Sequence, residues 1–418
     1  MGNVPVKMSF LKTAEKIGSR LCNEAAWSGE LCTWISDAMS YEQGRWQLVR
    51  RPLGSNLYSG TAGIALFLSY LSRHSSDPTF QTTAEGAIRF AISHLERLIA
   101  AGNFGFYSGA TGLAYVLALM SEIFGSSQFA EQGFAILRQL ADQQERYSSL
   151  GRWDVISGSA GLIPALLKLH ACYETQFLLD SAVFHGDILL ERAVQSEQGW
   201  SWPAKEHPSP NNLTGFSHGT AGAAWSLVEL HKMTSDRRFL TAAQEAFRYE
   251  RHWYDSEWEN WPDFRTVSDN GKPAYIAGWC HGAPGIGLSR IRAFQLLGDH
   301  NYRTEAQIAV RTTTRALHFG LSSNEGNYSL CHGHCGNAEL LLWASDVLGD
   351  EASRNVVHEM AFEAIQKYSV EKKPWPCGVT NAGETPDLML GLAGIGHFYL
   401  RLYDRQGTPS VLLVAGEN

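Results

Sequence analysis

The sequence predicts an all-α fold, an α/α toroid of seven helix-pair repeats with small loop or strand insertions, and three observations carry that expectation. A short glycine signature recurs seven times: SGTAG at Ser59, SGATG at Ser108, SGSAG at Ser157, HGTAG at His218, HGAPG at His281, HGHCG at His332 and LGLAG at Leu390. The first glycines, Gly60, Gly109, Gly158, Gly219, Gly282, Gly333 and Gly391, are 49, 49, 61, 63, 51 and 58 residues apart, and a period of about fifty is one supersecondary unit per copy. Each signature leads into an apolar run with helical spacing, such as Ile64, Leu66, Phe67, Tyr70 and Leu71, or Leu162, Ala165, Leu166 and Leu169. Between one such run and the next lies a second helical pattern, over 83–100, 129–144, 238–253, 302–319 and 352–367.

Taken in order, the chain opens on an amphipathic helix marked by Phe10, Ala14, Ile17, Leu21 and Ala25, expected as the outer partner that completes the ring. Residues 33–51, with Trp34, Ile35, Trp46, Leu48 and Val49, suit short strands. The repeats then fill 54–403, residues 404–418 form a tail, and the whole of 1–418 reads as one domain. In each signature two glycines three apart share one side of the first helical turn, where the missing Cβ lets backbones approach. AGIALFLSYL (62–71) and TGLAYVLALM (111–120) have little polar face and so suit burial nearly all round. An open solenoid would want polar terminal caps; the terminal copies are as apolar as the middle ones, which favours closure. Two longer steps hold WSWPAKEHPSPNNLTG (200–215) and HWYDSEWENWPDFRTVSDNGKPAY (252–275). These are insertions that border the sites following them, their aromatics either contacting a peptide or covering the insertions' own core.

A net charge of −8 and a pI near 6.0 give no electrostatic case for nucleic acid or an anionic membrane. No stretch approaches the ~20 apolar residues that span a bilayer, MGNVPVKMSF lacks an apolar signal region, and Val6 fails the myristoylation pattern. The expected location is the cytoplasm. The cysteines, Cys22, Cys32, Cys172, Cys280, Cys331, Cys335 and Cys377, are odd in number and form no local framework. Cys22 and Cys172 fall in helical patterns and are expected as small core residues.

The slot before the first glycine holds Ser59, Ser108, Ser157, His218, His281, His332 and Leu390, preceded by Tyr58, Tyr107, Ile156, Ser217, Cys280, Cys331 and Met389. In a ring, equivalent slots face one end, so Cys280, Cys331 and His332 become neighbours. Two thiolates and an imidazole suit Zn²⁺ and leave a fourth position open. The alternative is that WCHG and LCHG are helix-start sequences with inert, buried Cys and His.

SLCHGHCGN (329–337), GWCHGAPGIGLSR (278–290), GFSHGTAG (215–222), DVISGSAG (154–161) and DLMLGLAGIGH (387–397) together resemble the lanthionine synthetase C-like cyclase family. They look most like the C-terminal cyclase domain of class II, bifunctional lanthipeptide synthetases, as does LYSGTAGIALFLSYL (57–71). The resemblance spans roughly 53–403. It implies addition of precursor-peptide cysteine thiols to dehydroalanine or dehydrobutyrine, forming thioether rings, with Cys280, Cys331 and His332 holding Zn²⁺. It also implies a catalytic role for His218, whose imidazole could move a proton at the α-carbon. Asp154 matches the acidic residue of the family motif and would orient His218 or share the proton, unless it only caps a helix. His281 stands where some class I relatives have tyrosine, as a second acid or a support to the metal ligands; Ile276 stands where some have an arginine, whose role therefore does not carry over. His334 and Cys335 are expected to be non-ligands, with Cys335 as a third thiolate the alternative.

The implied partner is a dehydrated precursor peptide, with a dehydratase domain or partner protein beside it. In a bifunctional synthetase a larger dehydratase domain would precede residue 53; its absence from this sequence suggests an excised domain or a stand-alone cyclase, and dehydration is not assigned. Two rival readings are a zinc protein of the same family that acts on glutathione or as a regulatory binding module, and a glycosidase-type toroid. The second needs paired carboxylates at the ring mouth, and only Asp154 lies near a signature slot.

Overall fold

The computed structural model describes residues 4–42, 45–204, 209, 211–267 and 272–414. In chain order its helices are α1 (Val4–Glu24), α2 (Thr61–Ser72), α3 (Pro78–Ser93), α4 (Leu95–Ala100), α5 (Ala110–Phe124), α6 (Ser127–Ala141), α7 (Gln144–Ser149) and α8 (Ser159–Tyr173). There follow α9 (Gln176–Arg192), α10 (Thr220–Thr234), α11 (Arg237–His252), α12 (Ala283–Leu297), α13 (His300–Ser323), α14 (His334–Leu348), α15 (Glu351–Ala364) and α16 (Leu392–Tyr403). Every glycine signature opens an inner helix: α2, α5, α8, α10, α12, α14 and α16. The outer helices α3, α6, α9, α11, α13 and α15 each pack on the inner helix before them, and α1 packs on α16. This is the α/α toroid that the repeats predict.

Sequence chemistry separates the two layers. From Thr61 to Leu71, every residue of α2 is buried, whereas α11 buries Phe239, Ala242, Ala243, Ala246 and Phe247 on one face only. Asp77, Asp236, Asp299 and Asp350 cap α3, α11, α13 and α15 by accepting backbone N–H bonds, each cap worth about 1 kcal/mol. The inner helices start on glycine instead. A Cβ on Gly161 would lie 2.0 Å from the Val155 carbonyl oxygen, and one on Gly336 would lie 1.9 Å from that of Leu330. The close approach thus involves the helix's own entry loop, six residues back, rather than a neighbouring helix.

Backbone hydrogen bonds link these entry loops into a closed circuit. Tyr58 N–H donates to Tyr107 O (2.9 Å), Ser108 to Ile156 (3.2 Å), Val155 to Ser217 (3.0 Å) and Ser217 to Cys280 (3.0 Å). Cys280 donates to Cys331 (3.1 Å), Cys331 to Met389 (2.9 Å) and Met389 back to Tyr58 (2.9 Å). An open solenoid would break this chain of bonds between its first and last repeats. Closure is reinforced by α16 packing on α2 and by the buried ion pair Arg401–Glu339 (2.7 Å), which ties α16 to α14.

Among the described residues four hairpins decorate the ring. β1 (Ala26–Ser28) pairs with β2 (Leu31–Thr33), β3 (Ile35–Glu42) with β4 (Arg45–Pro52), β5 (Val194–Ser196) with β6 (Gly199–Ser201), and β7 (Asp263–Val267) with β8 (Pro273–Ala274). Of the two insertions, 205–208, 210 and 268–271 lie outside the described residues, as do 415–418 of the tail.

Several finer expectations change. The helix expected over 83–100 divides at His94 into α3 and α4, and α6 ends at Ala141 before α7. Cys22 is half-buried and Cys172 is exposed rather than core, because Cys172 falls in the last turn of α8, where the helix leaves the packed layer. The tail returns into the ring. Pro409 O accepts from His397 Nε2 on α16 (3.0 Å), Val411 O from the Tyr107 hydroxyl (2.6 Å) and Leu412 O from the Trp279 indole (3.1 Å). Those partners belong to the seventh, second and fifth repeats, so the segment crosses the bore, and Val411, Leu412, Leu413 and Val414 are all buried there.

Candidate active site

Within the circuit Cys280 and Cys331 are hydrogen-bonded neighbours, and the ligand atoms of Cys280, Cys331 and His332 all lie within 4.8 Å of one another. Asn260 fixes the Cys280 loop, donating to Ile276 O (3.0 Å) and accepting from Ala283 N–H (2.9 Å), while Asn337 donates to Ala277 O (3.1 Å). His332 Nε2 lies 3.0 Å from Gly378 O. A carbonyl can only accept, so Nε2 carries the proton and Nδ1 keeps the lone pair that a metal needs. Cys331 is buried and Cys280 half-buried, while His332 reaches the surface, which leaves one side of the cluster open.

Hydrogen bonding with Cys331, together with His332, carries the Cys280 thiol well below the ordinary range in spite of burial. The same contact, with burial, pushes the Cys331 thiol up. Burial alone would lower the His332 pKa, but the Cys280 hydrogen bond and charge raise it overall. Two sulfurs and an imidazole nitrogen this close together are the donor chemistry of a site for a divalent cation.

Asp154 and His218 are also brought together. His218 Nδ1 and Asp154 Oδ2 are 2.5 Å apart, and Asp154 Oδ1 accepts from Ser157 N–H (2.7 Å) and Oγ (3.0 Å). Burial opposes both charges, yet their mutual attraction wins: the His218 pKa is raised and that of Asp154 lowered. The His281 ring stacks on His218 at 6.0 Å. Burial drives its pKa down to about 4, and neither ring nitrogen has a partner among the described residues. Among the described residues the Cys280–Cys331–His332 group includes neither His334 nor Cys335. His334 Nε2 bonds Glu325 O at 3.2 Å, and Cys335 is fully buried in α14.

Three groups near the cluster stand outside the sequence expectations. Tyr58 borders Cys331. Asp387, whose Oδ1 accepts from Leu390 N–H (2.8 Å), is pushed by burial up to about 6. Arg265, on β7, lines a cavity together with His332, Tyr58 and Asp387. Asp387 had a readable signal, since it precedes Gly391 by the same four residues that separate Asp154 from Gly158. Two insertion aromatics are buried against the outer helices, Trp202 donating to Leu189 O on α9 (2.9 Å) and Trp261 to Glu250 O on α11 (3.0 Å), whereas Trp258 is 58% exposed and stacks on Tyr275.

Residues 51–413 match the family model for lanthionine synthetase C-like proteins. The chain belongs to this family. Among lanthionine synthetase C-like relatives, it is 24% identical over 208 residues to the lacticin 481/lactococcin biosynthesis protein LcnDR2 of Lactococcus lactis subsp. lactis, a match covering 48% of this chain and 22% of the relative. It is 24% identical over 173 residues to glutathione S-transferase LANCL1 of Danio rerio, covering 39% of this chain and 37% of that protein. The matches thus span well under half the length of either curated relative. Nisin cyclase has the same fold, with a TM-score of 0.67 at 18% identity over 86% of this chain and 92% of that one. Among the described residues no helix is long and apolar enough to cross a membrane.

Proposed function

We propose that this chain is a zinc-dependent peptide cyclase, adding cysteine thiols of a dehydrated precursor peptide to dehydroalanine or dehydrobutyrine to form lanthionine or methyllanthionine rings. The observation that carries the reading is the convergence of Cys280, Cys331 and His332 on the same end of the ring as the His218–Asp154 pair. The three-donor set fits Zn²⁺ with a position to spare, and the ion when bound there holds a substrate thiol as thiolate at neutral pH, where a free thiol of pKa ~8.5 is mostly protonated.

The chain's own residues supply the rest. Gly378 O fixes the tautomer and plane of His332. Asp154 holds His218 through Nδ1, so proton exchange with the α-carbon runs through Nε2. His281, stacked on His218 and one residue from Cys280, is buried in the wall of the site with neither ring nitrogen bonded among the described residues, and it backs the His218 imidazole.

Incubating the zinc-loaded protein with a dehydrated, cysteine-containing precursor should consume free thiol at constant peptide mass, and an unchanged thiol count would reject the reading. The relative named as a glutathione S-transferase favours a second reading, in which glutathione is the thiol. Offering glutathione and a thiol-free dehydrated peptide separates the two, since that reaction adds the mass of glutathione.

A further inference from the structure

Beside the metal-ligating residues a cavity of about 560 Å³ opens between the β3–β4 hairpin and the loop at 378–380. His332 forms part of its wall, so a group seated in the cavity lies next to the metal position. Two arginines line it, Arg51 and Arg265. Arg51 is exposed, whereas the Arg265 side chain is only 25% exposed and rigidly held. Asp263, 3% exposed, accepts Arg265 N–H (3.1 Å) and Nε–H (2.9 Å) on Oδ1 and an Nη2 hydrogen (2.7 Å) on Oδ2. A bidentate pair of this kind fixes the guanidinium plane. Among the described residues no acceptor engages Nη1, which keeps two donors in a fixed direction.

The charge of Arg265 reaches both halves of the site. It acts on Cys331 and His332 on the metal side and on His218 and His281 on the proton-transfer side. A fixed cation lining the same cavity as His332 suits a site where negative charge develops during reaction. In thiol addition to a dehydroamino acid that charge has a definite place. The thiolate sulfur bonds the β-carbon, the alkene π pair moves toward the α-carbon and its carbonyl, and the carbonyl oxygen becomes an enolate oxygen. A proton then adds at the α-carbon, the carbonyl re-forms, and the sum is S–H added across C=C with no redox change.

We propose that Arg265 touches the electrophile, Nη1 donating to the carbonyl oxygen of the dehydroalanine or dehydrobutyrine residue and holding it as the enolate forms. This rests on the cyclase reading above. It divides the labour: Cys280, Cys331 and His332 serve the nucleophile, His218 and Asp154 serve the proton, and Arg265 serves the electrophile. Losing one donor to a developing oxyanion costs about 10²–10³ in kcat.

The test compares wild type, Arg265→Gln and Arg265→Lys for zinc content, for affinity toward a dehydrated peptide whose cysteines are replaced by serine, and for kcat at saturating precursor. The expected result for Arg265→Gln is a loss of about 100-fold or more in kcat, with zinc and peptide affinity kept and part of the rate restored by lysine. Unchanged kcat overturns the proposal, as does an effect confined to peptide affinity or a loss of zinc, which would make Arg265 a binding or a structural residue. Should wild type itself, zinc-loaded, leave the precursor's thiols untouched, the cyclase reading fails first and separately.

Discussion

Asp154 meets two demands with its two oxygens. Oδ1 closes the turn before α8 by accepting Ser157 N–H, the same bond that Asn56 makes to Ser59 and Asp387 to Leu390 in other repeats; Oδ2 grips His218. Asp154→Asn keeps the turn and removes the charge, so the His218 pKa, now raised, should fall below its ordinary ~6.5 because burial remains unopposed. Histidine NMR titration reads this directly, and an unmoved His218 would show that the pair does not set its protonation. The stability consequence has a definite sign. A raised His218 pKa contributes stability below its unfolded value and loses it as pH rises through the folded one; a lowered Asp154 pKa contributes above its unfolded value and loses it as pH falls through the folded one. The wild-type advantage over Asp154→Asn in denaturation midpoint should therefore peak between about pH 4 and 6.5 and shrink on either side.

The metal and proton functions should also separate by single substitution. Cys331→Ala removes one of three donors and should abolish both zinc binding and cyclisation. His218→Asn leaves the cluster intact, so zinc should stay while ring closure slows by about 10²–10⁴. Metal analysis of each purified variant, paired with thiol consumption, checks both; cyclisation retained without Cys331 would mean that the ligands are wrongly assigned.

At the level of the element, a repeat is an entry loop, a glycine turn and an inner helix, and the turn tolerates no Cβ. Gly112 lies far from the metal cluster in sequence, and a Cβ there would stand 2.1 Å from Phe106 O. Alanine normally stabilises a helix by up to about 1 kcal/mol over glycine, but Gly112→Ala should lower the thermal midpoint because helix and loop must part. A raised midpoint would show that the contact relaxes freely. The same element explains which site residues are legible in the sequence. Cys280, Cys331, His332 and His218 occupy two adjacent slots of one repeating unit, so aligning the seven copies is enough to place them together. Arg265 is illegible by that route: it stands in an insertion without a counterpart in other copies, and strand β7 carries it to the cluster. The β3–β4 hairpin over the same cavity likewise lies before the first repeat, so no register within the repeats locates it.

For the whole molecule, the circuit of entry-loop hydrogen bonds makes one end of the ring a single rigid rim, and the tail supports it from inside. VLLV at 411–414 is too short to show a period, and its burial depends on a bore that exists only once seven repeats have closed. Leu412 is 1% exposed, and its carbonyl accepts from Trp279, the residue just before Cys280. Leu412→Ala opens a cavity that the surrounding inner helices cannot collapse into without bending the rim, so a cost of about 2–5 kcal/mol is expected. Trp279→Phe keeps most of the buried ring and leaves Leu412 O without its donor, a smaller cost of about 1–3 kcal/mol. Both should lower the unfolding midpoint of the zinc-loaded chain, while zinc per folded chain stays at the wild-type ratio, because Asn260 and Asn337 still hold the Cys280 loop. Thermal unfolding with parallel metal analysis distinguishes this from a loosely attached tail, for which neither substitution would move the midpoint.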